Sequence, residues 1–307
     1  MGARYLCADV GGTQIKAAVL EETGEPAGGI ERFDACSGLP RDALLGHLAG
    51  CLAASAAGKG GVRGVRLAMP GPFDYDKGVC LIDGLGKYAA LYGADLRAEL
   101  GARLRGALGA AAEDIRFIND VAAFALGELR FGCARGTERA VFICIGTGCG
   151  SAFSVGGALA PEGAPGVPEG GYIYPLPLRG RRVDDWLSRR GLCELSRLRL
   201  GEELDGLALS RRARAGDAGA LAAWGDFAAL LAEALEPVLR SFRPQMCCLG
   251  GQVTASADLF ISPLDSICGQ LGIRLERARE TSLRAMQGAL CAGRARRGTP
   301  AAGRQFS

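Results

Sequence analysis

The stretch ADVGGTQIK, Ala8–Lys16, decides how this chain is read. An apolar run ends in an acid, Asp9; Gly11, Gly12 and Thr13 follow, and a second apolar run opens at Ile15 with Lys16 inside it. Two short apolar runs joined by Gly-Gly-Thr read as strands, Tyr5–Val10 and Ile15–Glu21, folded into a hairpin. Glycine permits positive φ and lets an anion approach the backbone amides with no Cβ in the way, so the turn is a candidate phosphate cradle.

The pattern returns about 135 residues later. Val141–Ile145 (VFICI) leads into Gly146-Thr147-Gly148, then Ser151–Val155 and the turn Gly156-Gly157. Two similar lobes, each with a glycine-bearing hairpin, are the expectation, and internal repeats of this kind change the fold assignment. Length agrees: 307 residues exceed what one small core serves, so two lobes of roughly 100–200 residues are expected.

Composition narrows the partners. Apolar residues at 49% and charged residues at 22% are ordinary for a globular protein. The 36 Lys and Arg against 33 Asp and Glu leave a scattered net +3, not the footprint of a nucleic-acid binder. No run approaches the roughly 20 uninterrupted apolar residues of a membrane span, and no signal region precedes Tyr5, so the expectation is a cytoplasmic protein with no membrane partner. The 12 cysteines are dispersed through apolar runs, with no CxxC or CxC pair and with His47 as the only histidine. They read as reduced, buried thiols, and no zinc is expected.

Between the hairpins, Arg41–Ala57 and Leu91–Leu108 are apolar at helical spacing, and Val62–Met69 reads as a strand. Ile115–Ile118 is a strand that runs through Asn119-Asp120 into a helix, Val121–Phe131, which puts Asp120 at a strand-to-helix corner. Asp217–Phe242 is a helix feeding the strand Met246–Leu249 and the turn Gly250-Gly251. A last helix, Ser282–Ala295, precedes an Arg/Gly/Pro-rich tail, 296–307, expected to be disordered. The expected division is 1–120 plus the helix 282–295, and 121–281.

Two nucleotide-binding motifs are absent. IGTGCGS lacks the third glycine that opens a helix in the dinucleotide fingerprint, since SAFSV after it reads as strand, and no GxxxxGK followed by Ser or Thr occurs. What remains is a phosphate site built on β-hairpins, the arrangement of the actin, Hsp70 and sugar-kinase superfamily.

DVGGTQIK (Asp9–Lys16), PGPFD (Pro70–Asp74), INDVAAFALGE (Ile118–Glu128), IGTGCG (Ile145–Gly150) and CLGGQV (Cys248–Val253) together resemble, in order and spacing, the ROK family of repressors, open reading frames and kinases. The resemblance covers most of the chain. It implies an α/β, two-lobed, ribonuclease H-like (actin-like ATPase) fold, each lobe a mixed sheet with flanking helices. It also implies an ATP-dependent sugar kinase using ATP and Mg2+ on a small-molecule sugar, glucose or a related hexose. A homodimer follows by analogy. The family's repressors carry a winged-helix domain before the first phosphate motif, which here starts at Asp9, so DNA binding is not expected.

The resemblance also assigns roles. Gly11, Gly12 and Thr13 contact phosphates, Asp9 helps hold magnesium through water, Gly146, Thr147 and Gly148 face the β- and γ-phosphates, and Gly250-Gly251 lie near the adenosine. Lys16 is either a phosphate contact or a strand-edge charge. Asp120 takes the proton of the attacking sugar hydroxyl, a helix N-terminus keeping it ionised; the bland alternative is an N-cap aspartate. Gly71, Asn119, Asp120, Glu169 and Tyr172 are the candidate sugar ligands.

The likeness breaks down after PEGGY (Pro168–Tyr172). Where the family has histidine there is Tyr172, and PLPLRGRRVDDWLS replaces the zinc-binding cysteine cluster and a sugar-contacting glutamate. Asp184 or Asp185 either substitutes for that glutamate or caps a helix. Lys87 lies near where the sugar loop should fall, as a loop lysine or as a cation facing an acidic substrate. A protein that binds sugar or nucleotide without turnover is the competing reading.

Overall fold

A computed structural model describes residues 2–83 and 87–295, so the tail 296–307 and part of the loop before Lys87 lie outside it. The chain divides into two compact units, residues up to Phe131 with those from Ser282 onward, and Gly132–Thr281. The first boundary falls after the helix that Asp120 opens, later in the chain than the corner itself.

In the first unit the strands β1 (Arg4–Val10), β2 (Gln14–Glu21), β3 (Glu31–Asp34), β4 (Val65–Met69) and β5 (Ile115–Asn119) form a sheet in the order β3-β2-β1-β4-β5. β1 and β2 are antiparallel, with Asp9 opposite Lys16, whereas β4 runs parallel to both β1 and β5. Strand alternation divides β1 between two cores. Leu6, Ala8 and Val10 pack with Leu44, Leu45 and Leu48 of α1 (Arg41–Ala56) and Leu100 and Leu104 of α2 (Leu96–Leu108). Tyr5 and Cys7 face Met286 and Leu290.

The second unit repeats the plan. Its strands β6 (Arg139–Ile145), β7 (Cys149–Val155), β8 (Ala158–Leu159), β9 (Met246–Gly250) and β10 (Arg274–Arg277) are ordered β8-β7-β6-β9-β10. Again the first hairpin is antiparallel and the last two strands are parallel additions. Every residue of β4 and of β9 is buried, as expected of central parallel strands covered on both faces.

The helices are α3 (Asp120–Phe131), α4 (Val183–Trp186), α5 (Arg189–Leu200), α6 (Gly206–Arg214), α7 (Ala218–Phe242), α8 (Ser262–Gln270) and α9 (Thr281–Ala295). α7 is long and apolar enough to cross a membrane. Its stripe of Trp224, Phe227, Leu231 and Leu235 is instead buried in the core of the second unit with Leu192, Leu209 and Phe260. The expected helix from Leu91 starts five residues later, because Gly93 at φ 71° breaks the chain and the Asp95 carboxylate caps α2 by accepting from the Ala98 amide at 2.9 Å.

α9 joins the first unit by crossing α3 at two glycines. A Cβ on Gly288 would stand 1.7 Å from the Ala123 carbonyl oxygen, and one on Gly127 would stand 1.9 Å from that of Arg284. Both neighbours are backbone and cannot yield. Gly288→Ala is therefore expected to destabilise the protein by about 3 kcal/mol in denaturant unfolding, the upper range for overpacking. Gly50→Ala, in the exposed middle of α1 with nothing within 4 Å of the new methyl, should stabilise by about 0.5–1 kcal/mol. Equal effects at the two sites would refute the crossing.

Candidate active site

Two carboxylates organise the first unit. Asp9 stands near the end of β1, on the same face as Tyr5 and Cys7, where the Ser282 hydroxyl at the start of α9 bonds its carboxylate. Lys16 Nζ donates to Ser282 Oγ at 2.9 Å, giving a relay from ammonium to hydroxyl to carboxylate. Lys16 is thus engaged as a support for Asp9. Burial pushes the Asp9 carboxyl up; the Ser282 hydrogen bond and Lys16 draw it back.

Asp120 is the first residue of α3, at the end of β5. Capping falls to its neighbour: Asn119 Oδ1 accepts from the amides of Val121 and Ala122, both at 3.0 Å, while Asn119 Nδ2 donates to Tyr75 Oη at 3.2 Å. Tyr75 Oη in turn reaches the Met69 carbonyl and stands 3.2 Å from the Cβ position of Gly71. Asp120 Oδ1 accepts from the Val121 amide at 2.9 Å. Its carboxyl is pushed up to about 6, by burial first and then by the Asp9 charge, against the pull of Lys87 and the helix amides. The helix N-terminus is therefore outweighed, and Asp120 titrates within reach of physiological pH instead of staying ionised throughout.

The first glycine turn has its carbonyls tied back. Tyr88 Oη donates to the Gly11 carbonyl at 2.8 Å, Ser37 Oγ to that of Gly12 at 3.0 Å, and the Ala35 amide to that of Thr13 at 2.9 Å. Burial and the Asp9 charge push the Tyr88 phenol up, so it stays a donor. The Gly11 amide closes the hairpin onto the Gln14 carbonyl at 2.9 Å. Among the described residues the Gly12 and Thr13 amides have no intramolecular partner, which leaves them to an anion. The turn glycines do not use positive φ; Gly11 is required because its Cβ would stand 2.9 Å from the Gln14 carbonyl.

The turn in the second unit has the same character. The Gly146 amide bonds the Gly148 carbonyl at 2.9 Å, the Arg189 amide holds the Gly146 carbonyl at 2.8 Å, and Asp184 Oδ1 accepts from the Cys149 amide at 2.7 Å. Among the described residues the Thr147 and Gly148 amides have no intramolecular partner. The two acids divide the expected roles: Arg182 is the N-cap residue of α4, Asp185 closes a capping box there by accepting from the Arg182 amide and guanidinium, and Asp184 braces the turn instead of capping the helix. Burial and the Asp184 charge push the Cys149 thiol up, so it packs and does not react.

Gly250 ends β9, and Gly251, at φ 93°, lies so close to Ile145 that a Cβ would stand 2.2 Å from its carbonyl oxygen. The Gly251 amide is not free for a ligand, since it donates to Thr281 Oγ1 at 3.2 Å. Glu169 is exposed in the loop before Tyr172. That loop is pinned by buried Ser151, whose hydroxyl donates to the Gly171 carbonyl at 2.7 Å and accepts from the Ile173 amide at 3.0 Å. Tyr172 and Tyr174 are both exposed, their rings 5.5 Å apart.

The structure thus brings Asp9, Lys16, Lys87, Asn119 and Asp120 together electrostatically or through shared partners, and separately gathers Gly146, Gly148, Cys149 and Asp184. Sequence reasoning missed Ser37, Tyr75, Tyr88 and Ser282, whose contacts span long stretches of chain and carry no local signal. A buried carboxyl raised by desolvation is relieved by a divalent cation, so Asp9, which Lys16 reaches only through Ser282, fits a hard ion such as Mg2+.

A model of the ROK family matches residues 5–288, and the chain belongs to that family. Two Brucella proteins, from B. melitensis biotype 1 and B. suis biovar 1, are both named bifunctional enzyme NanE/NanK; each is 34% identical over 172 residues, 55% of this chain. The matches cover 32% and 31% of those proteins, so the chain spans about a third of their length. Among solved structures, a ROK glucokinase from Streptomyces griseus in complex with glucose and AMPPNP superposes with a TM-score of 0.79 at 19% identity, covering 95% of this chain and 100% of that one. A candidate N-acetylmannosamine kinase from Listeria monocytogenes gives 0.75 at 19% identity, covering 96% and 100%. A ROK transcriptional regulator homologous to E. coli Mlc gives 0.73 at 17% identity, covering 95% and 79%. The fold is accordingly the two-lobed actin-like ATPase fold.

Folding raises the proton affinity of Asp120 from the ordinary aspartate value of 3.8 to about 6, so protonation favours the folded state and this group's contribution to stability is lost as pH rises through 6. Asp120→Asn, which carries no charge, should melt above the wild type by about 2–4 °C at pH 8, about 1 kcal/mol in a protein of this size. That gain should shrink toward zero as pH falls to 4. A variant that melts lower than the wild type at pH 8 would show that Asp120 is not held against burial and Asp9.

Proposed function

We propose that this protein transfers the γ-phosphoryl group of ATP to a hydroxyl of a hexose or hexose derivative, in the cytoplasm. The observation that carries the reading is Asp120, a partly buried carboxyl at a strand-to-helix corner, raised to about 6 beside Asp9 and Lys87. A base of that strength is ionised at neutral pH yet takes a proton readily as the hydroxyl begins to bond to phosphorus. Phosphoryl transfer needs mainly positioning and charge stabilisation, which a fixed carboxylate and a cradle of backbone amides provide.

In this mechanism the Gly12 and Thr13 amides hold phosphate oxygens, and the Thr147 and Gly148 amides of the second unit form an equivalent cup. Asp120 Oδ2 receives the proton of the sugar hydroxyl while Oδ1 stays on the Val121 amide, so that the carboxylate cannot rotate away. Lys16 and Ser282 keep Asp9 oriented. Mg2+, with Asp9 as its ligand through water, would supply charge neutralisation on the phosphates. Asn119 and Tyr75 set the entrance to the same corner, and Glu169 and Tyr172 offer a carboxylate and an aromatic face to the sugar.

The glucokinase neighbour and the Listeria neighbour, a candidate N-acetylmannosamine kinase, make glucose and N-acetylmannosamine the first substrates to test. ADP release is expected with at least one of them in a coupled assay. If no sugar stimulates ADP release while one still raises the melting temperature, the protein binds sugar without turnover, which is the reading the regulator neighbour keeps open.

Asp120→Ala should lower kcat by about 10²–10⁴, with ATP binding nearly intact. Asp184→Ala should instead raise the KM for ATP about tenfold, the loss of one hydrogen bond to a charged group, with kcat little changed. Asp184→Asn, which keeps an acceptor for the Cys149 amide, should recover most of it. An unchanged KM in Asp184→Ala would remove the brace from the proposed nucleotide cradle.

A further inference from the structure

The mechanism above gives no task to one cation of the first unit. Of the four lysines, Lys16 donates to Ser282 at 2.9 Å, Lys59 pairs with Glu31 at 2.6 Å and Lys77 with Asp74 at 3.4 Å. Lys87 is half-buried and has no hydrogen bond or ion pair among the described residues. Its position is set by the residue that follows. Tyr88 is fully buried at φ 55°, a left-handed conformation that a bulky side chain keeps only where its surroundings hold it. Two long-range bonds do so: its hydroxyl donates to the Gly11 carbonyl at 2.8 Å and its amide to the Ser37 carbonyl at 3.0 Å, while Ser37 Oγ holds the Gly12 carbonyl at 3.0 Å. Lys87 is thereby anchored to the first glycine turn.

The sheet supplies the scale. Asp9 is the register partner of Ala68 on β4, and Ala68 is that of Ile118 on β5, all three strands being parallel. The turn after β1 and Asp120 after β5 therefore leave the same carboxyl edge of one sheet two strand spacings apart, about 10 Å. Lys87 is tied through Tyr88 to the first, and its charge acts on the second. Its flexible four-carbon stem lets the ammonium stand between them.

We propose, on the kinase reading above, that the Lys87 ammonium contacts the phosphoryl group as it passes from ATP to the sugar hydroxyl, and that Tyr88 is the residue that positions it. As the hydroxyl oxygen bonds to phosphorus, the bond from phosphorus to the β,γ-bridging oxygen breaks, ADP keeps that electron pair, and the hydroxyl proton passes to Asp120. Lys87 gives up no proton. Its charge meets the charge spread over the equatorial oxygens of the loose transition state, where a fixed donor has most effect. Lys16, committed to Ser282, leaves that place to it.

The test uses the full chain and the sugar that the wild type phosphorylates, and compares steady-state turnover with binding of ADP plus aluminium fluoride, a planar anion that mimics the phosphoryl group in transfer. Lys87→Met should lower kcat by about 10²–10³, the effect of removing one transition-state donor, with the KM for ATP little changed. It should weaken the aluminium fluoride complex by a similar factor while ADP alone binds as before. Lys87→Arg, which keeps the charge, should recover most of the loss. Lys77→Met, which removes an exposed cation from a separate turn, should match the wild type. Tyr88→Phe should cost about tenfold in kcat, the loss of one hydrogen bond, and its effect should vanish in a Lys87→Met background because the two act as one unit. Wild-type kcat or undiminished aluminium fluoride affinity in a folded Lys87→Met would overturn this inference and leave the kinase reading standing. Absence of turnover by the wild type with every sugar would overturn both.

Discussion

The repulsion between two partly buried carboxylates, Asp9 and Asp120, is the constraint around which the first unit is arranged. Left alone, burial would neutralise both, and a protonated acid can neither take a proton nor attract a cation. The surrounding residues act against that outcome in graded steps. Lys16 reaches Asp9 through Ser282, Lys87 acts on Asp120, and the start of α3 gives Asp120 one amide while Asn119 takes the other capping duties. None of these makes a full ion pair with either acid. The result is an Asp120 carboxyl raised to about 6 beside an Asp9 carboxyl that burial raises and that Ser282 and Lys16 draw back.

The second unit solves a different problem, that of holding a turn still with little regular structure around it. The segment that departs from the family's cysteine cluster folds as short helices laced by exposed ion pairs, Arg182 with Asp185 and Arg190 with Asp184, and Arg181 lies 4.5 Å from the Trp186 ring. Each such contact is worth about 0–1 kcal/mol at most. Their combined effect is positional: they aim Asp184 and the Arg189 amide at the two ends of the turn that begins at Gly146. Backbone hydrogen bonds fix the turn, and the ion pairs fix what makes those bonds.

Much of the fold was legible because it rests on local periodicity. The hairpins at Gly11 and Gly146, the corner at Asp120 and the apolar stripe of α7 could all be read from short windows, and the doubled strand order follows from the repeated hairpin. Where the reading failed, the deciding interaction was distant or geometric. The onset of α2 depends on the Asp95 cap, the role of Asp184 on an amide 35 residues away, and the state of Asp120 on burial that no local pattern encodes. The expected positive φ at the turn glycines is not found; Gly11 is required instead by the nearby Gln14 carbonyl, a contact only backbone geometry reveals.

The Lys16–Ser282 contact joins residues 266 positions apart. A ribosome delivers Asp9 early, and the hydroxyl that orients it arrives only when nearly all of the second unit has already been made. The hydrogen-bonded setting of the first acid is thus absent from a growing chain until its closing helix docks, so a half-made copy holds Asp9 without the hydroxyl that orients it.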